Sequence, residues 1–577
     1  MKNQNPKVTD NQNTARKADF TPQWMKSVSE HQSFRSIFKW GAKEKFKNPS
    51  QGLFHVVKQE LGLLDDDFKT PVSLGDNIVE NTCKTAISPE VIILFENIVG
   101  KENCLIDTYD RLKYSTGKAM EDIFNLRKEK IENISDIVLH PKNREDIQKI
   151  LELCHEKKIP LHVYGGGSSV TLGLSCPKGG VTLVMNTHMN KMIKFSEINR
   201  TISVEAGMMG PVYEDLLNNA PEQFDADNRY TGGHFPQSFE YSSVGGWVVT
   251  LGSGQASSYY GDAYDLVVSQ EYITPQGSFK THDFPATATG PKINDIMKGS
   301  EGCFGVLVAV TMKIFKFQPK NSKQFAFMFP KFDNAVNAVR QISQSDSGMP
   351  SIFRVSDPEE TDIAMKTYNL DKSIIGKVMD LKGLKSGSRC LLMGQTDGDK
   401  AFSNNLLKQI KKICSKNYGS NLSGYPMRKW YKGRFSDPYM RDAFNDFGVL
   451  IDTLEASVTW GNLDKLYHGV RNHIKQHPNT ICMTHASHFY DQGTNLYFIF
   501  IAKMLDIDEF RTFQRSIIEK IEENGGSLSH HHGVGRMMGP FMEKHLGKSQ
   551  MDVLRTLKKH FDPHNIMNPG GLGLMDL

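Results

Sequence analysis

The sequence predicts a mixed α/β fold, because strand, helix and glycine-loop patterns follow one another closely from residue 134 onward. Asp136–Pro141 is a short apolar strand stopped by proline. Asn143–Lys158 places its apolar residues on one helical face. Pro160–Tyr164 is the next strand, and it runs straight into the glycine loop Gly165–Ser169. Strand, helix, strand and glycine loop in this order indicate the beginning of an α/β domain.

The chain before residue 129 is predicted to form a polar tail and a helical module. Residues 1–22 are polar, so we expect a disordered tail. Trp24–Phe46 is basic and aromatic, and it either packs against the body of the protein or lies on a membrane surface as an amphipathic segment. Residues 50–128 repeat apolar positions at helical spacing, most clearly in Pro89–Phe95. Residues 23–128 are therefore expected to form a helical N-terminal module.

Two domains and a C-terminal segment are predicted downstream of this module. Residues 129–318 form the first domain, in which Pro211 begins a helix and further strands are expected at Val181–Met185, Thr201–Ala206, 266–274 and Val306–Phe317. Residues 319–524 alternate helical and strand patterns without glycine loops, which indicates a second α/β domain ending in the helix Asp508–Glu523. Residues 525–577 form a C-terminal segment with a helix around Met551–Phe561.

Composition excludes several classes of protein. Lys+Arg 69 against Asp+Glu 65 gives a net charge of +4, which argues against nucleic acid as a partner. The eight cysteines form no Cys-x-x-Cys pair, and such dispersed thiols suit a reducing compartment. No apolar run approaches the ~18 residues of a membrane span. We find no signal peptide, and Met575–Leu577 is not a peroxisomal address, so we expect the cytoplasm.

Three glycine-rich loops are candidates for binding a ligand. Gly165–Ser169 exposes consecutive backbone amides and two hydroxyls, which suits a pyrophosphate, although a flexible turn fits this loop equally well. Pro236–Trp247, continued by Thr250–Gly254, offers small residues that allow the backbone to approach a flat ligand. Gly299–Val306 is the third loop and enters a strand. The order and spacing of the loops favour a shared binding function over three unrelated turns.

Ser529–Gly535 contains three adjacent histidines, His530, His531 and His532. The cluster has three interpretations: a metal site, an exposed accident of sequence, or the polar wall of an active site. Consecutive side chains do not converge on one point in regular structure, and no His-Glu-x-x-His motif is present, so we expect no metal. The position between a capped helix and glycine turns favours the active-site wall.

The three loops in this order resemble the FAD-binding domain of the vanillyl-alcohol-oxidase superfamily, and Phe561–Gly570 resembles its C-terminal signature. The resemblance implies an α+β or α/β architecture: a two-subdomain PCMH-type FAD-binding domain, a second α/β cap domain for substrate, and a C-terminal segment that returns to the FAD domain. FAD is expected at the domain interface, bound non-covalently because Tyr164–Ser169 contains no histidine. The residues implied to bind FAD are Val163, Tyr164, Gly165, Gly166, Gly167, Ser168, Ser169, Gln237, Ser238, Ser242, Ser243, Gly246, Thr250, Ser253, Glu301, Gly302, Gly305 and Val306.

The histidine run is in turn similar to the alkyldihydroxyacetonephosphate synthase branch of this superfamily. The resemblance extends from about Trp24 to the C-terminus and includes Glu205–Gly210, Gly233–Ser238, Val244–Trp247 and Met440–Asp442. It implies that Tyr490 is the catalytic tyrosine, that Arg441 binds the substrate phosphate, and that Arg354 lies near the flavin and is needed for activity. His530, His531 and His532 match the family's required histidines. Without the resemblance, Tyr490 is interpreted as a core tyrosine and the two arginines as surface salt-bridge residues.

This branch exchanges the acyl group at C1 of acyl-dihydroxyacetone phosphate for a fatty alcohol, through an adduct at flavin N5 and with no net redox change. We therefore expect a base to remove a C1 proton, and Tyr490 with a lowered pKa, tuned by nearby histidines, is the candidate. The lipid substrates imply an apolar tunnel and contact with a membrane surface. A homodimer is also expected.

Two other functions remain open at this point. One is a flavin-dependent dehydrogenase or oxidase of a 2-hydroxy acid such as D-lactate or glycolate. Such relatives usually carry a His-x-Gly-Asp-Gly-Asn-type segment, which this sequence lacks. The other is a non-enzymatic flavin-binding module or lipid-surface scaffold, and the intact set of Tyr490, Arg441 and the three histidines argues against it.

Overall fold

The computed structural model describes residues 31–42 and 45–575. The predicted tail at residues 1–22 lies outside the described residues, as does the beginning of the Trp24–Phe46 segment. Among the described residues, no helix is both long enough and apolar enough to cross a bilayer. The fold consists of an N-terminal module, an FAD-type domain with two main sheets, a cap domain with one large sheet, and a C-terminal segment.

The N-terminal module is mainly helical and packs against the body of the protein. Its elements are α1 (Phe34–Phe38), α2 (Gln51–Glu60), α3 (Pro89–Val99), β1 (Cys104–Leu105), α4 (Thr108–Lys113) and α5 (Met120–Arg127). The apolar side chains of α1, Phe34, Ile37 and Phe38, are buried in the same core as the cap domain. Trp40 is also buried. For these described residues, the packing interpretation of the Trp24–Phe46 segment is confirmed.

The first large domain contains two main sheets with a shared core. Its elements are β2 (Ile137–Leu139), α6 (Arg144–Lys157), β3 (Leu161–Tyr164), β4 (Val181–Val184), β5 (Met192–Ser196), β6 (Thr201–Glu205), α7 (Gly210–Asn218), α8 (Ala220–Phe224), β7 (Tyr230–Thr231), α9 (Val244–Val249), α10 (Ser257–Tyr260), α11 (Ala263–Leu266), β8 (Val267–Thr274), β9 (Gly277–Lys280), β10 (Val306–Lys313) and β11 (Phe315–Lys316). One sheet has the order β1-β2-β4-β3 and the other β5-β6-β10-β8-β9. Leu161, Leu183, Val306 and Val308 are fully buried between them.

The strands of the smaller main sheet position the first glycine loop. β2 and β3 both pair in parallel with the central strand β4, whose four residues are all buried. A strand buried on both faces has a nearly continuous apolar sequence, as Val-Thr-Leu-Val shows with Thr182 as its one polar residue. β1 of the N-terminal module pairs antiparallel with β2 at the edge. The module predicted as helical therefore contributes one strand to this sheet.

The cap domain is built on one seven-stranded antiparallel sheet. Its elements are β12 (Lys323–Phe329), α12 (Phe332–Ser343), β13 (Ile352–Ser356), α13 (Pro358–Thr367), α14 (Ile374–Leu381), β14 (Cys390–Thr396), α15 (Lys400–Lys416), β15 (Ser420–Asn421), α16 (Tyr425–Gly433), α17 (Tyr439–Asn445), β16 (Val449–Thr459), α18 (Leu463–Gln476), β17 (Ile481–Phe489), β18 (Gly493–Lys503) and α19 (Ile507–Glu523). The strand order is β15-β12-β14-β13-β17-β18-β16. Helices α12, α15, α18 and α19 bury their apolar faces against this sheet. Because the sheet is antiparallel, the cap belongs to the α+β type.

The C-terminal segment crosses back to the first domain. It contains α20 (Gly535–Met538), α21 (Met542–Leu546) and α22 (Lys548–Phe561). Met551, Phe561, Leu572 and Leu574 join the core behind the five-stranded sheet. The predicted fold class, including the return of this segment to the FAD-type domain, is confirmed.

A buried ion-pair network joins the N-terminal module to the cap. Arg35 and Arg127 of the module contact Asp442 and Asp446 of the cap at N–O distances of 2.7 to 3.2 Å. The side chain of Asp446 is fully buried, and the other three are at most 11% exposed. Buried charges need such mutual pairing, because an uncompensated charge is costly away from water. The network therefore fixes α17 of the cap relative to α1 and α5.

Candidate active site

The glycine loop after β3 presents a row of free backbone amides. Within the described chain, the N–H groups of Gly165 to Ser169 donate to no protein acceptor. Gly167 has φ of 75°, a left-handed conformation that glycine adopts without strain. A Cβ on Gly166 would overlap the carbonyl oxygen of Tyr241, so this backbone packs directly on the neighbouring loop. Successive free amides in such a turn form an anion-binding concavity suited to a pyrophosphate.

The other two predicted loops converge on this one. A Cβ on Gly165 would overlap Ser243 Oγ, and that hydroxyl accepts the N–H of Gly246 to cap helix α9. A Cβ on Gly302 would lie 3.7 Å from Val163 at the end of β3. Bare backbone therefore surrounds the amide row from three segments, and the residues present fit FAD. The residues that would hold it lie on these three loops.

Some predicted cofactor side chains already have protein partners. Ser242 Oγ accepts a hydrogen bond from Trp247 Nε1 at 2.7 Å, and Thr250 Oγ1 donates to the carbonyl of Gly246 at 2.8 Å. Gln237 is exposed and donates to the carbonyl of Arg434 in the cap at 2.6 Å. These three residues can therefore contact a cofactor through their backbone, or through the hydrogen-bonding capacity that their side chains have left.

Four further predicted cofactor residues make packing or turn contacts within the protein. Tyr164 is buried, and its ring packs edge-on against Tyr114 at 4.9 Å. The carbonyl of Ser238 accepts the N–H of Tyr241 in a tight turn. A Cβ on Gly305 would lie 2.8 Å from the carbonyl oxygen of Ile273, and the side chain of Val306 is buried in the core. Only the backbone of these last two residues can reach a ligand.

Glu301 connects the flavin-type domain to the histidine loop. Its carboxylate accepts the N–H groups of Val534 and Gly535 at 2.7 and 2.8 Å. Burial raises the pKa of Glu301 to about 7, although both amides and Arg536 oppose the shift. The third glycine loop therefore holds the chain immediately after His532 in place.

The three histidines are organised by a carboxylate from the cap. Glu455 on β16 is 1% exposed. It accepts the backbone N–H groups of His530, His531 and His532 at 2.8 to 3.0 Å, and the hydroxyl of Ser529 at 2.9 Å. Burial alone would raise the pKa of Glu455, but the neighbouring histidines and these amides lower it overall. This anchor turns the imidazoles of three consecutive residues toward one region.

Tyr490 is held at the centre of the site by two hydrogen bonds. Its hydroxyl donates to Asp262 Oδ2 at 2.6 Å and lies 2.6 Å from His530 Nε2. Because a phenol has one proton, which goes to Asp262, the hydrogen bond with His530 is donated by its Nε2–H. His530 Nδ1 in turn lies 3.0 Å from His531 Nδ1. A continuous hydrogen-bonded chain thus runs from the first domain through the cap to the C-terminal segment.

The expected lowering of the tyrosine pKa is wrong. Burial, reinforced by the adjacent carboxylate of Asp262, raises the pKa of Tyr490 far above its ordinary value. Burial also lowers the pKa of His531 and His532, and it raises the pKa of Asp262. Burial and the carboxylate of Asp262 both disfavour the phenolate, so the phenol is neutral in the resting site.

A bulge in β17 adds a fourth histidine to the site. The register of β17 and β18 shifts between Ser487 and Phe489, and His488 has φ of 54°. A bulge re-aims a side chain that would otherwise follow the strand alternation. His488 Nδ1 lies 3.2 Å from Ser253 Oγ, and its ring is 5.0 Å from those of His530 and His531.

Arg354 lies in the cap sheet beside this cluster. It is on β13 opposite Ser487, and its guanidinium donates to Glu360. Glu360 also lies 3.3 Å from His485 Nδ1. Burial opposes ionisation of Glu360, but Arg354 and His485 lower its pKa overall. Arg354 is therefore a paired, half-buried cation, and its Nε has no partner among the described residues.

Arg441 has a different environment, because no carboxylate among the described residues lies within ion-pair distance of its guanidinium, although Asp452 and Asp442 are near enough to favour its charge. It lies on α17, and within the described chain its guanidinium makes no hydrogen bond or ion pair. The ring of Trp40 lies beside it, with 5.8 Å between the guanidinium carbon and the ring centre. Burial lowers the pKa of Arg441 and, together with Arg441, lowers the pKa of nearby Lys118 to about 7. A partly buried cation that makes no ion pair with the described residues is suited to an anionic ligand.

Ligand atoms of Glu455, His530 and His531 lie within 4.8 Å of one another, which is compatible with a metal ion. However, the Glu455 oxygens already accept hydrogen bonds from three amides and a hydroxyl. The two imidazoles also share a hydrogen bond through their Nδ1 atoms. The donor set is therefore used within the protein, and the expectation of no metal stays a prediction.

The structure brings together Tyr490, the three histidines and, from the predicted cofactor set, Ser253. Ser253 donates to Asp262 and also contacts His488. Sequence reasoning missed Asp262, His488 and Glu455 as site residues. No pattern in the sequence assigned a role to Asp262, His488 or Glu455. The polar, histidine-rich sequence just before Tyr490 was the available signal for His488.

Fold and site together define a class of protein: FAD-dependent enzymes with a PCMH-type flavin domain and a cap domain that adjoins it. Comparison with known families agrees, since residues 135–282 match the family described as FAD binding domain, and residues 318–572 match FAD linked oxidases, C-terminal domain. FAD is therefore the cofactor.

Three comparisons identify the family. The chain is 29% identical to an alkyldihydroxyacetonephosphate synthase of Dictyostelium discoideum over 90% of this chain and 87% of the relative. It is 30% identical to that of Caenorhabditis elegans over 88% and 87%. A solved alkyldihydroxyacetonephosphate synthase structure superposes with a TM-score of 0.78 at 25% identity, covering 93% of this chain and 99% of the other. The chain belongs to the alkyldihydroxyacetonephosphate synthase family.

Proposed function

We propose that the protein exchanges the acyl group of a 1-acyl-dihydroxyacetone phosphate for a long-chain fatty alcohol, with no net oxidation, in ether lipid synthesis. The observation that carries the proposal is the phenol of Tyr490 held between Asp262 and His530 where flavin domain, cap and C-terminal segment meet. Membership of the synthase family supports the same reaction.

Arg441 is the residue that binds the substrate phosphate. Its guanidinium is partly buried and makes no ion pair with the described residues, so its planar donors are available to match two phosphate oxygens. Trp40 lies beside it, and Lys118, whose ammonium donates to the carbonyls of Ile37 and Lys39, is a second basic group nearby. Binding the charged end of the substrate there orients its C1 carbon with binding energy remote from the reaction.

Tyr490 moves the proton at C1. A C–H bond beside a carbonyl is weakly acidic, and a positioned oxygen can accept its proton. The histidines and Glu455 hold Tyr490 and its surroundings in a fixed, hydrogen-bonded orientation. Bound FAD supplies an electron-accepting ring system that permits exchange at C1.

One assay tests the reaction against the redox alternative, a 2-hydroxy-acid dehydrogenase or oxidase. Purified flavoprotein is incubated with palmitoyl-dihydroxyacetone phosphate and isotopically labelled hexadecanol, with no electron acceptor. We expect labelled ether product and released palmitate in equal amounts. Absence of ether product, together with reduction of a dye by D-lactate or glycolate, would replace the proposed function with the alternative.

We also propose contact with an anionic membrane surface through α14. Ile374, Val378 and Leu381 recur at helical spacing on this helix and are 82, 45 and 88% exposed. Exposed lysines flank them on and around the helix, at positions 372, 377, 382 and 385. Apolar side chains beside lysines favour binding at the boundary of negatively charged lipids.

Vesicle co-sedimentation tests this surface. With vesicles of phosphatidylcholine and phosphatidylglycerol, the Ile374→Gln, Leu381→Gln double variant should bind several-fold less than wild type. Ile198→Gln is the matched control, because Ile198 is 97% exposed far from α14 in sequence. Equal sedimentation of the double variant and wild type would reject α14 as the membrane contact.

A homodimer in a reducing compartment such as the cytoplasm completes the proposal. The family resemblance supports the dimer, and the eight free cysteines, seven of them buried, support the compartment. Light scattering should give twice the chain mass of 65.0 kDa. A mass equal to one chain would exclude the dimer.

A further inference from the structure

Asp262 is a carboxylate with a dedicated contact to the reactive phenol. It precedes α11, where its backbone N–H donates to Asp265 Oδ2 at 3.0 Å. Its Oδ2 accepts the hydroxyl of Tyr490 at 2.6 Å, and its Oδ1 accepts the hydroxyl of Ser253. Among the described residues, no lysine or arginine forms an ion pair with Asp262. Its Oδ2 is therefore bonded directly to the group that moves the substrate proton.

The titratable groups around Asp262 come from three segments. Asp265 lies on its own helix, Tyr490 and His488 come from the cap, and His530 comes from the C-terminal segment. His488 reaches Asp262 through Ser253, and burial keeps the pKa of His488 well below its ordinary value. His530 acts through the phenol oxygen. Asp262 is thus the terminal proton acceptor of the hydrogen-bonded chain on the side of the first domain.

We propose that Asp262 is a positioning residue that accepts the phenolic proton of Tyr490 while Tyr490 takes the proton from the substrate. The C–H bond beside the substrate carbonyl breaks, and its electron pair stays on carbon. The proton joins the oxygen of Tyr490 as the original O–H bond breaks and that proton moves to Asp262 Oδ2. The inference rests on the proposed function, because it requires a substrate with an acidic C–H bond.

This coupled transfer of two protons, from substrate to Tyr490 and from Tyr490 to Asp262, is called the relay below. The relay resolves a conflict within the site. A free tyrosinate is a strong base, yet burial and Asp262 raise the pKa of Tyr490 and oppose its formation. Burial also raises the pKa of Asp262, which makes this carboxylate a better proton acceptor than an exposed aspartate. With a concerted transfer, the phenol oxygen accepts one proton as it releases another, and tyrosinate never accumulates.

The first test is Asp262→Asn in the FAD-loaded enzyme. Asparagine retains the size and one oxygen acceptor, but it cannot take the proton. We expect unchanged flavin content, little change in KM for either substrate, and a kcat lower by about 100-fold or more. The matched control is Asp295→Asn, because Asp295 also accepts a phenol hydrogen bond, from Tyr264 at 2.6 Å, at the surface. That variant should keep wild-type kcat.

The pH profile separates a proton relay from a structural role. Asp262 must be ionised to accept a proton, so wild-type kcat should fall as the pH drops through its raised pKa. Asp262→Asn should lose this acid limb, and Asp262→Glu should partly restore both kcat and the limb. A variant that keeps wild-type kcat, or the same acid limb, would overturn the relay.

Two further measurements keep the relay and the proposed function distinguishable. If Asp262 acts through Tyr490, the Asp262→Asn, Tyr490→Phe double variant should be no slower than Tyr490→Phe alone, whereas additive losses would contradict the relay. Exchange of the substrate C1 hydrogens with D2O, measured by mass spectrometry without alcohol, reports proton transfer itself. Wild-type exchange without ether product would remove the proposed function and retain the relay. Exchange that Asp262→Asn does not slow would overturn the relay even in an active synthase.

Discussion

The carboxylate of Glu455 accepts the backbone N–H of His530 through both of its oxygens, at 2.9 and 2.8 Å. A strand of the cap thereby determines the conformation of a loop that begins 74 residues later at Ser529. The imidazole of His530 then reaches Tyr490, so the cap controls the reactive phenol from two directions. The histidines function as a unit because one buried carboxylate holds their backbone.

Replacing Glu455 with glutamine should destabilise the protein and disorder the histidine loop. The amide keeps one acceptor but turns N–H groups toward backbone donors, so we expect the free energy of unfolding to fall by about 2–3 kcal/mol. Burial opposes ionisation of Glu455, yet its histidine and amide neighbours lower the pKa overall. Its stabilisation is therefore present above the ordinary pKa of 4.5 and is lost as pH falls through the lower folded value.

Chemical denaturation at pH 7 and at progressively lower pH measures this effect. The difference between Glu455→Gln and wild type should shrink as the pH falls. Glu519→Gln, at an exposed position on α19, is the control and should match wild type. A constant difference at all pH values would contradict the assigned role of the ionised carboxylate.

Gly166→Ala should weaken FAD binding. The added Cβ would overlap the carbonyl oxygen of Tyr241 and approach Ser242 Cα at 2.7 Å, so the amide row must shift. We expect the dissociation constant for FAD to rise about tenfold, which corresponds to 1.4 kcal/mol. Flavin absorbance after dialysis measures the occupancy. Gly433→Ala, where a Cβ meets nothing within 4 Å, should keep full occupancy, and equal occupancy in both variants would refute the prediction.

Arg441→Ala should raise KM for the phosphorylated substrate by about 10- to 100-fold, because a charge-assisted hydrogen bond to a charged group contributes about 1.5–3 kcal/mol. KM for the fatty alcohol should not change. Arg441→Lys should be intermediate, since lysine keeps the charge but not the planar donors. Steady-state kinetics with each substrate varied separately gives both constants. Arg340→Ala, on the surface of α12, is the control, and an unchanged KM in Arg441→Ala would reject the phosphate role.

Asp562→Ala should destabilise the protein by about 3–5 kcal/mol, because it leaves the ammonium of Lys558 buried without its partner. The two side chains are 2 and 0% exposed and 2.6 Å apart. Lys558 also donates to the carbonyls of Cys303 and Met567, which attaches the C-terminal segment to the first domain. Thermal or denaturant unfolding measures the loss.

Helix α22, on which Lys558 lies, supplies a matched control for the Lys558–Asp562 pair. Lys548 and Asp552 have the same spacing as Lys558 and Asp562, but their side chains are 77 and 49% exposed. An exposed pair contributes at most about 1 kcal/mol, so Asp552→Ala should change stability little. Equal effects of the two alanine variants would show that burial does not determine how much the Lys558–Asp562 pair stabilises the protein.

Local signals in the sequence predicted the flavin domain well. The apolar strand before Gly165 and the helix Asn143–Lys158 follow from periodicity alone, and the structure has β3 at Leu161–Tyr164 and α6 at Arg144–Lys157. The hydrogen-bonded core of the site could not be predicted in the same way. Asp262 and Tyr490 are 228 positions apart, and no local pattern specifies their contact. The pKa of Tyr490 depends on that contact and on burial. Both raise it, so the expectation of a lowered pKa was wrong.

The histidine run illustrates a different limit. Regular helix or strand geometry argues against three consecutive side chains sharing one direction, and that argument assumes that the backbone bonds to itself. Here the amides of the run bond to Glu455 instead. The exception depends on a carboxylate 75 residues earlier in the chain, beyond the range of any local rule.

The ion pairs of Arg35 and Arg127 with Asp442 and Asp446 bear on how the protein can be shortened. Arg441 stands directly beside Asp442 in the chain, so the arginine proposed for phosphate is oriented by segments that precede both recognised family domains. A minimal enzyme that begins near residue 130 would retain every glycine loop and every histidine. It would nevertheless release α17 from its anchor, and it would resemble a flavoprotein that carries its cofactor but recognises its phosphorylated substrate weakly.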